Sequence, residues 1–295
     1  MFEGAWTALV TPFEDGKPEK INDICLKDLI RFQIERGKID GLVACGTTGE
    51  APALSEEEHA HVAQRVIEYS GGRVPVVVGT GSNNIDRTIS ATRAAAEMKA
   101  DGALIVTPYY NRPGQEGLYR FYRRVADEVD LPIILYNVPS RTGVNLLPQT
   151  VLRLAKDVPN IKAIKEASGN LGQIEQIIAG GFPVLSGDDA LTYPILCLGG
   201  SGVISVVSNV EPGHVARMCK SYADGDREAA LGIHRSLASL VKLLFIETSP
   251  VPVKAAMSLM GICPADVRLP LAPLSEESSK KVREYMDLHG DILKD

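Results

Sequence analysis

The chain has 295 residues, 45% of them hydrophobic, with 31 Lys and Arg against 37 Asp and Glu. That is enough apolar material for one or two packed domains. A net charge of −6 with no basic block argues against partners recognised through positive charge, nucleic acid and anionic membrane surfaces among them.

The elements follow in chain order. Ala5–Thr11 reads as a first strand stopped by Pro12, and residues 22–36 as a helix with Ile24, Leu26, Leu29, Ile30 and Ile34 near helical spacing and Gly37 as its stop. Gly41–Cys45 is a short, wholly apolar second strand, followed by the glycine-bracketed turn Gly46-Thr47-Thr48-Gly49-Glu50. Ser55-Glu56-Glu57-Glu58 is a capping box opening a helix to about Tyr69. Strand three is Val74–Gly79 with a helix over Asn84–Met98, and strand four is Gly102–Thr107, ending in Pro108-Tyr109-Tyr110-Asn111, with a helix over Gln115–Val129. Strand five is Leu131–Tyr136, leading into Asn137-Val138-Pro139-Ser140-Arg141-Thr142-Gly143 and a helix over 148–156. Strand six, Ile161-Lys162-Ala163-Ile164-Lys165, precedes a helix over Gly172–Ala179. Strand seven is Pro183–Ser186, then Gly187-Asp188-Asp189 and a helix over Leu191–Leu198, and strand eight is Gly202–Ser205. Three helices remain, over Asp226–Phe245, Pro250–Leu259 and Ser275–His289.

The strands are short continuous apolar runs, as in parallel sheets covered on both faces. Eight strand-then-helix units at this spacing predict an α/β fold, a (β/α)8 TIM barrel. The expected division is a catalytic barrel over 1–225 and a C-terminal appendage of about three helices over 226–295, packed on the barrel with no flexible linker.

Active sites of such barrels sit at the C-terminal ends of the strands. Lys165 closes strand six, and period two puts it on one face with Ile161 and Ala163. An ammonium is costly to bury on an apolar face, and a buried amine that has shed its proton is a nucleophile for carbonyl carbon. The other strand ends add Thr47 and Thr48, Tyr110, Tyr136 with Arg141 just beyond it, Gly187, and Ile204 within strand eight, while Thr7 and Thr11 flank strand one. Converging on one mouth, these groups suit carbonyl chemistry: an amine for a Schiff base, hydroxyls to relay protons, a guanidinium for a carboxylate. Each has a plainer reading: Lys165 reaching solvent, Tyr136 with its hydroxyl in water, Arg141 in a surface ion pair, the threonines bonded locally within their turn. Gly199-Gly200-Ser201-Gly202 reads as a tight strand-entry turn in preference to a phosphate cradle. The five histidines form no metal spacing. Five cysteines, Cys25, Cys45, Cys197, Cys219 and Cys263, form no CxxC pair and fit reduced thiols in a cytoplasm. Met1-Phe2-Glu3-Gly4 lacks a signal-peptide pattern, and no apolar run approaches the ~20 residues of a membrane helix.

At Gly46-Thr47-Thr48-Gly49-Glu50, Tyr109-Tyr110-Asn111-Arg112-Pro113, Tyr136-Asn137-Val138-Pro139-Ser140-Arg141-Thr142-Gly143, Lys165-Glu166-Ala167 and Ser186-Gly187-Asp188-Asp189, the chain resembles the pyruvate-dependent class I lyases of the N-acetylneuraminate lyase superfamily. Within them it is most similar to the dihydrodipicolinate synthase family, over nearly its whole length. That resemblance implies a lyase that condenses pyruvate with aspartate 4-semialdehyde in lysine and diaminopimelate biosynthesis. It implies Lys165 as the Schiff-base residue, with Tyr136, Thr47 and Tyr110 as a proton relay. Thr48 then sits near the pyruvate carboxylate, Arg141 holds the second substrate's carboxylate, and Gly187 and Ile204 line the site. No metal, flavin or nucleotide is implied, only the covalent imine of pyruvate with Lys165. The implied assembly is a homotetramer of tight dimers, in which Tyr110 completes a neighbour's relay. A sister aldolase acting on a sialic acid or a 2-keto-3-deoxy sugar acid, and a non-catalytic regulatory barrel, are the alternatives.

The positions matching the family's feedback lysine site are Ala51, Pro52, Glu56, His59, Asn83, Arg87 and Tyr109. Glu56 stands where the lysine-sensitive pattern has histidine, and Arg87 where it has an acid. Arginine repels an incoming ammonium, so lysine inhibition is expected to be weak or absent. Ser249 stands where asparagine is common.

Overall fold

The eight apolar runs close into one parallel barrel in the computed structural model, which describes residues 2–289. Its strands are β1 (Gly4–Ala8), β2 (Gly41–Ala44), β3 (Val76–Gly79), β4 (Gly102–Val106), β5 (Ile133–Asn137), β6 (Ile161–Glu166), β7 (Val184–Ser186) and β8 (Gly202–Ser205). Each pairs with its sequence neighbours, and β1 closes on both β2 and β8, so the barrel itself has no open edge. The helices are α1 (Asp23–Arg31), α2 (Glu56–Ser70), α3 (Ile85–Glu97), α4 (Gln115–Glu128), α5 (Pro148–Asp157), α6 (Leu171–Ala179), α7 (Thr192–Cys197) and α8 (Pro212–Ala223). Beyond them lie α9 (Arg227–Leu244), α10 (Val251–Leu259) and α11 (Glu276–His289). Met1 and positions 290–295, the first and last stretches of the expected division, lie outside the described residues.

Two apolar layers account for the closure. Trp6, Val43, Val77, Leu104, Ile134, Ala163, Leu185 and Ile204 fill the lumen, and Phe2 packs on Trp6 with ring centroids 5.5 Å apart. The alternate residues, Leu42, Val76, Val78, Ile105, Leu135 and Ile164 among them, face the helices. Fully burying side chains of this size contributes about 1.5–3 kcal/mol each. Gly41 is required here, because a Cβ would lie 2.3 Å from the Trp6 ring. The capping box opens α2 as the sequence predicts: Ser55 Oγ accepts from the Glu58 amide at 3.2 Å, and the Glu58 carboxylate accepts from the Ser55 amide at 2.9 Å.

Four features depart from the sequence reading. A register shift in the pairing of β5 with β6 turns Ile161 to the helix side with Ile164, so only Ala163 shares the lumen face with Lys165. Strand β1 ends at Ala8, and Thr7 points outward, where its hydroxyl donates to Gln33 at 2.7 Å. Phe13–Glu14 and Lys17–Ile21 form an antiparallel hairpin around Asp15-Gly16, with Gly16 at φ 66°. The eighth unit has its own helix, α8, so four helices follow β8. Pro212 at its start and buried Val215, Met218 and Cys219 carry the signal for it.

Candidate active site

Lys165 ends its strand inside the mouth of the barrel and is only 5% exposed. Its register partners are Tyr136 on β5 and Leu185 on β7. The amine lies 4.5 Å from the centroid of the Tyr136 ring. No carboxylate among the described residues pairs with it. Lys254 is the other buried lysine among the described residues. That lysine is fully buried too, but its amine donates to Glu50 at 2.7 Å and to the Thr11 carbonyl at 3.0 Å. One buried lysine is committed to a structural ion pair; the other is held against an aromatic face at the wall of a cavity.

That cavity has a volume of about 640 Å³ and is lined by Thr47, Thr48, Tyr136, Val138, Ser140, Arg141, Lys165, Ala167, Gly187, Asp188, Ala190 and Val206 from the barrel end. The Thr47–Thr48 turn is folded on itself by bonds from Gly49 N to Gly46 O and from Glu50 N to Thr47 O, both 3.1 Å. The Thr11 hydroxyl ties the turn to the chain after β1 by donating to the Gly49 carbonyl at 2.7 Å. Arg141 comes from a single helical turn, Pro139–Thr142, closed by the left-handed Gly143, and donates to the Ser249 carbonyl at 3.2 Å. Gly187 is required chiefly by Ala167: a Cβ at this position would meet Ala167 Cβ at 2.7 Å, with Lys165 Cε also close at 3.1 Å.

The outward faces of the same strand ends are locked by a polar network. Asn137 and Glu166, in register beside Tyr136 and Lys165, meet behind them. Asn137 Nδ2 donates to both Glu166 oxygens at 3.0 and 3.1 Å, the Ser168 amide donates at 2.7 Å, and Gln173 at 3.0 Å. Burial pushes the Glu166 carboxyl above its ordinary range, and these donors pull it partly back. Asp189, also buried, accepts from the Ser205 hydroxyl and from the Val206 amide at 2.9 Å, which fixes the exit of β8.

Thr47, Thr48, Tyr136, Lys165, Arg141 and Gly187 thus meet at one cavity. Ile204 lies beneath, in the lumen layer, 1% exposed. Tyr110 does not line this cavity. It is 90% exposed, with φ 71°, a backbone conformation unusual for a bulky residue. Of the positions set apart for lysine, Ala51, Glu56 and His59 belong to the β2–α2 region, Asn83 and Arg87 to the β3–α3 region, and Tyr109 to the end of β4. His59 bonds the Gly79 carbonyl at 2.7 Å, burial lowers its pKa, and the Asn83 carbonyl accepts from Asn111 at 3.1 Å.

The sequence reading missed one wall entirely. His234, Ala238, Val241, Lys242 and Phe245 of α9 and the residue after it, with Ser249, complete the cavity. Their spacing of three and four residues is a helical stripe, a signal present in the sequence but taken for simple packing on the barrel. Burial lowers the pKa of His234, which stacks on Tyr193 at 5.8 Å.

The model of the dihydrodipicolinate synthetase family matches residues 1–288. The 4-hydroxy-tetrahydrodipicolinate synthase of Syntrophus aciditrophicus is 52% identical over 295 residues, 99% of this chain and all of that one. Among solved structures, the dihydrodipicolinate synthase of Aquifex aeolicus superposes with a TM-score of 0.94 at 43% identity, covering 98% of each chain. The chloride-inhibited dihydrodipicolinate synthase of Acinetobacter baumannii, solved with pyruvate, gives 0.94 at 40% identity, covering 98% of this chain and 99% of that one. With the motifs, the barrel and the lysine-bearing cavity in place, these matches establish that the chain belongs to the dihydrodipicolinate synthetase family.

Proposed function

We propose that this protein is a lyase that condenses pyruvate with L-aspartate 4-semialdehyde through a Schiff base. The product is 4-hydroxy-tetrahydrodipicolinate, and the reaction is the first committed step of lysine and diaminopimelate biosynthesis. The observation that carries the reading is the Lys165 amine, buried at 5% exposure, with no carboxylate partner among the described residues and 4.5 Å from the Tyr136 ring at the cavity wall. Relatives bearing the synthase name at about half identity over full length support the same reaction.

The residues divide the chemistry as follows. Lys165 attacks the keto carbon of pyruvate and water leaves, giving an imine. Loss of a methyl proton gives the enamine, whose carbon adds to the aldehyde. The amino group of the semialdehyde then displaces Lys165 from the imine carbon, closing the ring and freeing the enzyme. Tyr136 and Thr47 pass the protons, with Tyr110 supplied by a second copy of the chain. Thr48 holds the pyruvate carboxylate and Arg141 that of the semialdehyde. Gly187 and Ile204 shape the site. This chemistry draws on no metal or organic cofactor. A homotetramer of paired dimers in the cytoplasm, where the five free cysteines stay as thiols, is the setting proposed. Among the described residues no helix is long and apolar enough to cross a membrane.

Borohydride reduction in the presence of pyruvate tests this reading. The expected result is a mass increase that peptide mapping places on Lys165. No adduct, or an adduct on Lys254, would overturn it.

A further inference from the structure

The buried ion pair away from the cavity has a place in the site's construction. Glu50 ends the turn that carries Thr47 and Thr48, and its backbone sits in the left-handed region at φ 54°. A non-glycine residue holds that conformation only when its surroundings over-determine it. Here they do. One Glu50 oxygen accepts from Lys254 Nζ at 2.7 Å, and the other from the Arg268 amide at 2.9 Å. Lys254 also donates to the Thr11 carbonyl at 3.0 Å and lies 4.1 Å from the centroid of the Phe13 ring. Thr11 in turn donates through its hydroxyl to Gly49, next to Glu50. Both charged side chains are essentially unexposed, at 0% and 1%. Neither Glu50 nor Lys254 lines the cavity.

Lys254 lies on α10 and Arg268 beyond it, so both donors come from the part of the chain that follows the barrel. We infer that Glu50 and Lys254 are a positioning pair, through which the C-terminal helices hold the Thr47–Thr48 turn in the geometry that receives the keto-acid carboxylate. The pair touches no substrate. It acts through a turn whose hydroxyls face the cavity three and two residues before Glu50. The assignment of a keto acid to those hydroxyls rests on the function proposed above; the coupling of the turn to α10 does not.

The test uses Glu50→Gln, Lys254→Met and the double variant of the full chain. A single variant leaves one buried group without its partner and can fail to fold, so the double variant, which removes both charges, decides. Two readouts are taken at matched melting temperature. The first is hydrogen exchange of the backbone amides of residues 46–51, with no substrate present. The expected result is faster exchange there, with unchanged exchange in β4 to β7. The second is steady-state kinetics, where the KM for pyruvate should rise about tenfold or more and kcat should fall with it, because the turn carries both Thr48, which binds the carboxylate, and Thr47, which passes protons. Parental exchange in 46–51 in a folded double variant would overturn the coupling. Faster exchange with parental pyruvate KM would overturn the role in substrate binding. An unsubstituted protein that forms no pyruvate adduct on Lys165 would instead defeat the functional reading, and the exchange result would still judge the coupling.

Discussion

At the scale of single residues, Lys165 and Tyr136 are each followed by a residue that fixes the strand end from behind. Lys165 and Tyr136 face the cavity, while Glu166 and Asn137 one residue on face the helices and bond to each other. The Glu166 carboxyl, raised by burial, makes a pH prediction. Its folded pKa stands above its unfolded one, so its contribution to stability is fully present below the unfolded value and is lost as pH rises through the folded value. Glu166→Gln cannot ionise and lacks this dependence. Measured by denaturant unfolding, the stability difference between variant and parent should shift in the variant's favour as pH rises above the ordinary carboxylate range. A difference that stays flat or shifts in the parent's favour would contradict the burial argument. Lys165, Tyr136, Thr47, Thr48 and Arg141 were legible as residues at strand ends because reactive groups there follow chain order. The orientation of Ile161 was not, because one register shift between β5 and β6 reverses the parity that period-two counting assumes.

At the scale of elements, the barrel supplies one side of the cavity and α9 the other. The strands were readable from their apolar runs, since burial on both faces leaves little else there. The wall formed by His234, Ala238, Val241, Lys242 and Phe245 was not, because nothing local says which barrel end a trailing helix covers. Helix α8 escaped for a different reason: its buried stripe is short, Pro212, Val215, Met218 and Cys219. The wall makes its own prediction. Ala238→Trp projects a large ring from α9 into the cavity. It should lower kcat/KM for the semialdehyde by about tenfold or more, while borohydride trapping of pyruvate on Lys165 persists. Loss of trapping together with turnover would place α9 against the keto-acid half of the site instead.

At the scale of the whole molecule, Tyr110 marks the limit of a single chain. Tyr110, 90% exposed on a left-handed backbone, leaves its ring open to a neighbouring chain, which supports the proposal that a second copy receives it. Arg87 is exposed at the start of α3, close in sequence to Asn83, and burial keeps His59 bonded to Gly79 as a weaker base than usual. A site that presents a guanidinium repels a cationic amino acid. Lysine added to the assay should therefore leave turnover nearly unchanged, and half-inhibition at sub-millimolar lysine would refute this.

The measurement that bears most directly on the account is pyruvate consumption by the purified protein against three acceptors, aspartate 4-semialdehyde, N-acetylmannosamine and glyceraldehyde, with Lys165→Ala alongside. The account predicts consumption with the semialdehyde alone, abolished in the variant. Consumption with a sugar aldehyde instead would contradict the role given to Arg141, and turnover that survives in Lys165→Ala would contradict the Schiff base itself.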